Sequence, residues 1–268
     1  EDWHTMHVSC VDSPRVADDF VDDMKRRFGE DSPAYFVRVL GSFPPAEEDT
    51  VIPVFLIEHA FNNAIKVHED TIAVWGLDVA RQGGDSSVLC KRQGPMIHPL
   101  TVWRNLDLMQ LSGAVKAEYD AMPPSRRPAE IIIDSNGFGA GVLDRLRELG
   151  LPARGLNVSE RAVAKQTYLN LRAELWFKCK AWLEGMDVSL PKDDALYAEL
   201  AGPRYMFTSS GKIQVESKES MKKRGIRSPD RADALCLALA NDHTTMAFGV
   251  AAAGSWAKPI RRNIRGVV

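Results

Sequence analysis

Three aspartates interrupt apolar runs, where a carboxylate is costly. Asp78 sits in Ile72-Ala-Val-Trp-Gly-Leu-Asp-Val-Ala80. Asp134 ends Ile131-Ile-Ile-Asp and is followed by Ser-Asn-Gly-Phe-Gly-Ala-Gly141. Asp233 lies in Arg231-Ala-Asp-Ala-Leu-Cys-Leu-Ala-Leu-Ala240. A lone buried carboxylate is strongly unfavourable unless it is paired or bound to metal. Strand alternation puts Asp78 on the face of Ile72 and Val74. Asp134 falls at the carboxyl end of a strand, before a glycine-rich turn, where α/β sheets bind ligands. Each has an ordinary explanation: Asp134 could cap its turn through Asn136 and Gly137, and Asp78 could face an arginine. Together they indicate one site. Carboxylates that converge repel and therefore want a hard divalent cation, and oxygen-only ligation suits Mg²⁺ or Mn²⁺ rather than zinc. Two such ions about 3.5–4 Å apart would hold the attacking and leaving oxygens of a phosphodiester.

Other candidates surround these. Lys218, Lys222, Lys223, Arg224, Arg227 and Arg231 precede the third aspartate, against only Glu219 and Asp230. A charge run is commonly a solvated face, but beside the acids it also suits phosphate contacts. A hairpin tip at Ser209, Ser210 and Lys212 could lie along a duplex backbone or be a plain surface turn. Asp230, after Ser228-Pro229, is explained by the preference for acids in a first helical turn. Glu174 reads as an exposed helical acid. Trp75, Trp103, Trp176 and Trp182 read as core. Gly137, Gly139 and Gly141 fail the dinucleotide spacing, since position 144 is Asp, and signal tight turning near Asp134 instead. The six histidines form no ligand spacing,.

The elements that must position these residues follow from periodicity. Strands are expected at 71–80, 86–92 and 96–104, joined by turns at Gly83-Gly84 and Gly94-Pro95 as an antiparallel meander. Helical spacing covers 106–122, then a short apolar strand spans 130–134, as suits a strand covered on both faces. A helix at 141–149, a strand at 152–158 and a helix at 166–185 follow. A hairpin pairs 205–207 with 212–215, and Ser228 to Asp242 is the last helix. Three antiparallel strands followed by strands alternating with helices predict an α/β protein, a mixed sheet with helices on both faces.

Residues 1–65 differ: a short strand at 4–11, an amphipathic helix at 14–28 and a Pro- and acid-rich loop at 41–50 read as the end of an upstream domain plus a linker. Residues 249–268 are small, then basic (Lys258, Arg261, Arg262, Arg265), and read as a flexible tail. The chain starts at Glu1 and is expected to be a fragment. It has 268 residues, 45% hydrophobic and 26% charged, which excludes a disordered, collagenous or disulfide-scaffold chain,. A net charge of −2 leaves any nucleic-acid contact to local patches,. Cys10, Cys90, Cys179 and Cys236 form no C-x-x-C pair and read as reduced thiols. No apolar run reaches a membrane span of about 18 residues.

The segments Gly76-Leu-Asp78-Val-Ala-Arg-Gln-Gly-Gly-Asp85-Ser-Ser, Ile133-Asp134-Ser-Asn-Gly-Phe-Gly-Ala-Gly-Val and Arg227-Ser-Pro-Asp-Arg-Ala-Asp233-Ala-Leu, in that order, resemble the nuclease domain of tailed-phage large terminases. That domain has the RNase H-like (RuvC-like) fold, and the resemblance covers roughly 66–247. It implies that 1–65 end the family's ATPase domain and its connection, that 66–247 are the nuclease and that 248–268 are a tail. It implies an endonuclease that cuts concatemeric viral DNA during packaging in the host cytoplasm. Asp78, Asp134 and Asp233 fall on the family's acidic triad, with Asp78 expected to bridge two Mg²⁺ or Mn²⁺ ions and the others to hold one each. Asp85 and Asp230 are acidic neighbours within reach of a metal through water. Lys212, Lys218, Lys222, Lys223, Arg224 and Arg227 are the expected DNA contacts. Double-stranded DNA, the ATPase domain, the small terminase and the portal are the implied partners. The chain has no G-x-x-x-x-G-K-[ST] loop, so no ATPase activity is expected of it. The rivals are a Holliday-junction resolvase or transposase, a non-catalytic DNA- or motor-docking module, and a sugar-kinase or actin-like ATPase, which needs the fold twice and more chain than this.

Overall fold

The computed structural model describes residues 7–28, 30, 35–42, 49–80 and 85–240. The basic tail, the Gly83-Gly84 turn and the last two residues of the expected final helix lie outside the described residues. The helix and strand order is α1 (Asp18–Phe28), α2 (Val54–Asn62), β1 (Ala73–Asp78), β2 (Ser87–Gln93), β3 (Met96–Ile97), β4 (Thr101–Trp103), α3 (Leu108–Asp120), β5 (Glu130–Asp134), α4 (Phe138–Glu148), β6 (Ala153–Leu156), α5 (Leu171–Glu184), α6 (Asp194–Ala201), β7 (Tyr205–Phe207), β8 (Ile213–Val215), α7 (Lys218–Lys223) and α8 (Asp230–Ala238).

The main sheet runs β3-β2-β1-β5-β6, with β4 also on β2. β1 is antiparallel to β2 and parallel to β5, and β5 is parallel to β6. This is the expected mixed α/β sheet. The third strand is broken at His98–Leu100 into β3 and β4, both antiparallel to β2.

Alternation sorts the sheet into two cores. Trp75, Leu77, Leu89, Ile131 and Ile133 face α3 and α4 through Leu111, Val115, Val142 and Leu146. Val74, Val88, Cys90 and Ile132 face the opposite way, toward Trp176 of α5 and Leu235 of α8. Each fully buried Ile or Leu contributes about 1.5–3 kcal/mol by leaving water. Local caps set the helix starts: an Asp107–Gln110 capping box opens α3, Asn170 caps α5, Asp193 caps α6 and Ser217 caps α7,.

Several elements differ from expectation. Residues 7–9 form no strand, and α1 begins at Asp18 rather than Pro14. Residues 49–62 are not a linker: Val51, Ile52, Leu56, Ile57 and Ala60 are packed into the core that holds Trp176. The segment before them keeps a small cluster of Met24, Tyr35 and Val39. It reaches the hairpin through Arg38, which donates to the Gly211 carbonyl and stacks 4.6 Å from the Phe207 ring. The helix expected over 166–185 starts at Leu171, and residues 157–170 are a loop. The expectation omitted α2, α6 and α7.

Candidate active site

Leu77 of β1 pairs with Ile133 of β5 in parallel register. The next residues, Asp78 and Asp134, therefore leave the sheet side by side at its carboxyl edge. Both share the face of Val74, Gly76 and Ile132, the face that α8 covers. Gly76 lets α8 lie directly on β1: a Cβ there would stand 2.1 Å from the Ala234 carbonyl oxygen and 2.4 Å from the Ala238 nitrogen. That approach brings Asp230 and Asp233 to the strand ends. Gly139 does the same for α4, since its Cβ would meet the Asp134 carbonyl oxygen at 1.8 Å. The glycine series thus turns tightly at Gly137 (φ 57°), as expected, and also allows close approach at Gly139, which was not expected.

Asp78, Asp134 and Asp233 line one pocket with Val158, Arg172, Trp176 and Lys218. The Lys218 ammonium lies at its centre, 3.1 Å from Asp233 Oδ2, 3.5 Å from Asp230 Oδ1 and 3.7 Å from Asp78 Oδ2. The remaining oxygens are held by neighbours. Trp176 Nε1 donates to Asp233 Oδ1 at 2.9 Å, and Arg172 Nη2 reaches the same oxygen at 3.4 Å. The Ser86 amide donates to Asp230 Oδ2 at 2.8 Å, while Asp230 Oδ1 has no hydrogen bond among the described residues. The Asn136 amide donates to Asp134 Oδ1 at 3.2 Å.

The electrostatics follow from burial and crowding. Burial pushes the Asp78 carboxyl up to about 7; the Lys218 ammonium opposes this, and Asp233, Asp230 and Asp134 add to it,. Burial also raises Asp134 against the hydrogen bonds from the Asn136 and Val158 backbone. Asp233 is burdened by burial yet ends below the usual carboxylate range, because Arg172, Lys218 and the Trp176 hydrogen bond favour its anion. The Lys218 ammonium is disfavoured by burial, but Asp233, Asp78 and Asp230 hold its proton more tightly than usual. The cluster therefore keeps Asp233 ionised and places its most readily held proton on Asp78.

Chemically, the donor set is oxygen-only, which fits a hard divalent cation in kind. The unbonded Asp230 Oδ1 and the inward Asp78 Oδ2 and Asp233 Oδ2 are free to ligate once Lys218 moves. Among the described residues no three carboxylate, histidine or cysteine side chains already stand at the mutual spacing of a metal cage. The ammonium stands where the carboxylates would share a cation.

The expected site residues divide accordingly. Asp78, Asp134 and Asp233 are brought together, and Asp230 joins them; its position in a first turn does not exhaust its role. Asp85 lies outside the cluster, 45% exposed and 3.8 Å from Lys222. Lys218 faces the carboxylates instead of solvent. Arg224 turns back onto Glu216 and the Gly202 carbonyl. Lys222, Lys223 and Arg227 are exposed, and Lys212 is half-buried in the β7–β8 turn. Glu174 is not the exposed acid expected: it is 6% exposed and accepts from the Val163 and Ala164 amides.

Sequence reasoning missed Arg172 and Trp176, whose spacing of four residues puts them on one face of α5. It also missed Glu199 of α6, which accepts from the Arg231 and Ala232 amides and pairs with Arg231 at 3.0 Å. Glu199 thereby caps the start of α8, and among the described residues the Ser228 hydroxyl has no hydrogen-bond partner.

No family model matches the chain. It is 25% identical over 248 residues to a probable terminase large subunit of Enterobacteria phage P7, covering 87% of this chain and 50% of that protein. The chain thus spans about half the length of that curated relative. Among solved structures it is similar to the nuclease domain of the large terminase subunit of bacterial virus Sf6 (TM-score 0.57, 20% identity, 71% of this chain and 98% of that one). A variant of that domain, with manganese and beta-thujaplicinol, gives a TM-score of 0.59 at 19% identity. The large terminase nuclease of thermophilic phage G20c with bound magnesium gives 0.55 at 19% identity, covering 73% of this chain and 98% of that one. The chain is similar in sequence to a phage terminase large subunit, and its fold is that of large-terminase nuclease domains.

Proposed function

We propose that this chain is the nuclease part of a phage terminase large subunit, a metal-dependent endodeoxyribonuclease that cleaves concatemeric viral DNA during genome packaging. The observation that carries the reading is the convergence of Asp78, Asp230 and Asp233 on the Lys218 ammonium, with Asp134 lining the same pocket at the carboxyl edge of parallel strands. Four carboxylates held so close need more positive charge than Lys218 and Arg172 supply. Structures of similar nuclease domains with manganese and with magnesium support the choice of cation.

In this reading Asp78, Asp134 and Asp233 would hold divalent cations, with Asp230 able to add its Oδ1. Metal bound there would supply an activated water and charge neutralisation for phosphodiester hydrolysis. The protein's own residues set the geometry. Trp176 and Arg172 occupy Asp233 Oδ1 and leave Oδ2 pointing inward. The Ser86 amide orients Asp230, and the Asn136 amide orients Asp134. Lys218 neutralises the cluster without metal and, on a partly exposed arm, can turn to a phosphate when a cation replaces it. No histidine base is required. Contacts that run to the DNA backbone give little sequence preference.

Residues 1–42, with the small cluster around Met24, are proposed to end an upstream ATPase domain. Residues 49–240 are then the nuclease, one core whose start lies before residue 66. A small terminase, a portal and the host cytoplasm as the working place follow by relation to terminases. Among the described residues no helix is long and apolar enough to cross a membrane.

The test is supercoiled plasmid incubated with the chain and Mn²⁺ or Mg²⁺. Nicking and linearisation should be abolished by EDTA and by Asp134→Asn, with the variant's circular dichroism unchanged. Cleavage by Asp134→Asn at the wild-type rate would sink the site assignment, and a wild type that neither cuts nor binds Mn²⁺ would sink the nuclease reading.

A further inference from the structure

We propose that the loop of residues 159–166 is a second DNA contact of this chain, with Arg161 and Lys165 on phosphates and Val163 between them against the groove. The inference deepens the nuclease reading and rests on it for the identity of the ligand.

The loop starts at the pocket. Val158 lines the pocket and its amide bonds Asp134. The Arg172 amide donates to the Val158 carbonyl, and the Leu171 amide to the Glu160 carbonyl, both at 2.9 Å. α5, which carries Arg172 and Trp176 to Asp233, thus also carries the loop. Further along, buried Glu174 accepts from the Val163 amide at 2.6 Å and from the Ala164 amide at 3.4 Å, and Ala162 is 5% exposed. The far end is tied to β8, where the Ile213 amide donates to the Thr167 carbonyl at 2.8 Å and the Leu169 amide to the Ile213 carbonyl at 2.9 Å.

A loop so firmly pinned from below displays an unusual top. Val163 is 83% exposed, more than any other large apolar side chain among the described residues. Arg161 and Lys165 flank it, both exposed and neither in an ion pair among the described residues. The loop's acid is Glu160, at the end nearest the pocket. Exposed apolar surface held rigidly between unpaired cations suits a polyanion whose phosphates flank apolar contact points such as thymine methyls, which is duplex DNA. α7, whose Lys218 lines the same pocket as Val158, carries Lys222 and Lys223, and Arg227 follows. Both segments that carry exposed cations thus adjoin the pocket of the carboxylates. Pre-ordering by Glu174 lowers the entropic cost of the contact.

The test is binding of a short fluorescein-labelled duplex, followed by anisotropy in Ca²⁺ over a salt series, for wild type, Arg161→Ala/Lys165→Ala and Val163→Ser. Loss of two phosphate contacts should lower the slope of log K against log salt by about 1.8, so that between about 50 and 200 mM salt the double variant loses about tenfold less affinity than wild type. Val163→Ser should weaken binding with the slope unchanged. Mn²⁺ affinity should be the same in all three, which separates a DNA contact from a disturbed metal site. An unchanged slope and Kd in the double variant, or a wild type that does not bind duplex, overturns the proposal. The first of these results would leave the loop as a protein-docking surface. Because binding is read without turnover, a wild type that binds duplex but neither cuts it nor binds Mn²⁺ would refute the nuclease reading and leave the loop assignment standing.

Discussion

Replacing Lys218 by Met keeps most of the aliphatic stem and removes only the charge that separates Asp78, Asp230 and Asp233. At the observed 3.1, 3.5 and 3.7 Å, each attraction is about 5 kcal/mol gross at an effective dielectric of 20,. Little of that is net, since the ammonium also loses hydration. Breaking a buried pair costs about 3–5 kcal/mol, and exposed pairs are worth at most about 1. With a side chain 37% exposed, Lys218 lies between these limits, and a net loss of about 2 kcal/mol is expected,. Urea denaturation at pH 8 in EDTA should show it as a midpoint lowered by about 1 M, taking a slope near 2 kcal/mol per molar. Saturating Mg²⁺ or Mn²⁺, at about 100 times its Kd, would contribute about 2.7 kcal/mol and restore the midpoint. Acid should help in the same direction. The Asp78 carboxyl is already raised by burial to about 7, so its protonated form favours the fold, and that stabilisation is lost as pH rises through 7. The deficit of the variant should therefore be large at pH 8 and small at pH 5. A variant as stable as wild type at pH 8 in EDTA, or a deficit that divalent cation leaves untouched, would show that Lys218 is not the counterion of the cluster.

Three other outcomes are expected. Trp176→Phe removes the 2.9 Å donor to Asp233 Oδ1 and should lose about 2 kcal/mol and weaken Mn²⁺ binding severalfold; a calorimetric Mn²⁺ titration identical to wild type would deny it a positioning role. Gly76→Ala would place a methyl 2.1 Å from the Ala234 carbonyl oxygen and should cost about 3 kcal/mol, although alanine for glycine in a strand is ordinarily favourable. A melting temperature at or above wild type would refute the direct contact of α8 with β1. Burial raises the Glu199 carboxyl to about 7 against its hydrogen bonds from Ala232 and Arg231. A raised acid stabilises the fold below its unfolded value and ceases to do so as pH passes 7. Wild type should thus lose up to about 3 kcal/mol between pH 5 and 8 through this group, and Glu199→Gln should lack that part of the slope; parallel pH profiles would refute it.

What could be read before the structure was whatever a local pattern dictates. β1, β5 and the three acids were legible because a carboxylate among Val, Ile and Leu contradicts its surroundings wherever it occurs, and alternation alone gives its face. Asp230 was discounted by a sound local rule, since acids favour a first helical turn. Its burial against the Ser86 amide depends on a residue 144 positions away, and no window along the chain contains both. Lys218 misled for the same reason. In a run with Lys222, Lys223, Arg224 and Arg227 its charge looked like one more solvated cation, and only the fold brings that one ammonium within 3.1–3.7 Å of three carboxylates. Glu174 inverts the case: mid-helix it resembles any exposed acid, yet two loop amides at 163 and 164 bury it. Residues 51–60 read as linker because their partners lie on α5 and α6, far along the chain. The common cause is that burial of a charge is a tertiary property. Pattern identifies a carboxylate that must have a partner, whereas the partner itself comes from another element. Here each missed partner (Lys218, Arg172, Trp176, Ser86) sits on a segment whose own periodicity gave no reason to look there. The site is accordingly written twice in the chain, once as acids out of place on β1, β5 and α8, and once as donors at Ser86 just before β2 and on α5 and α7 that only the fold reveals.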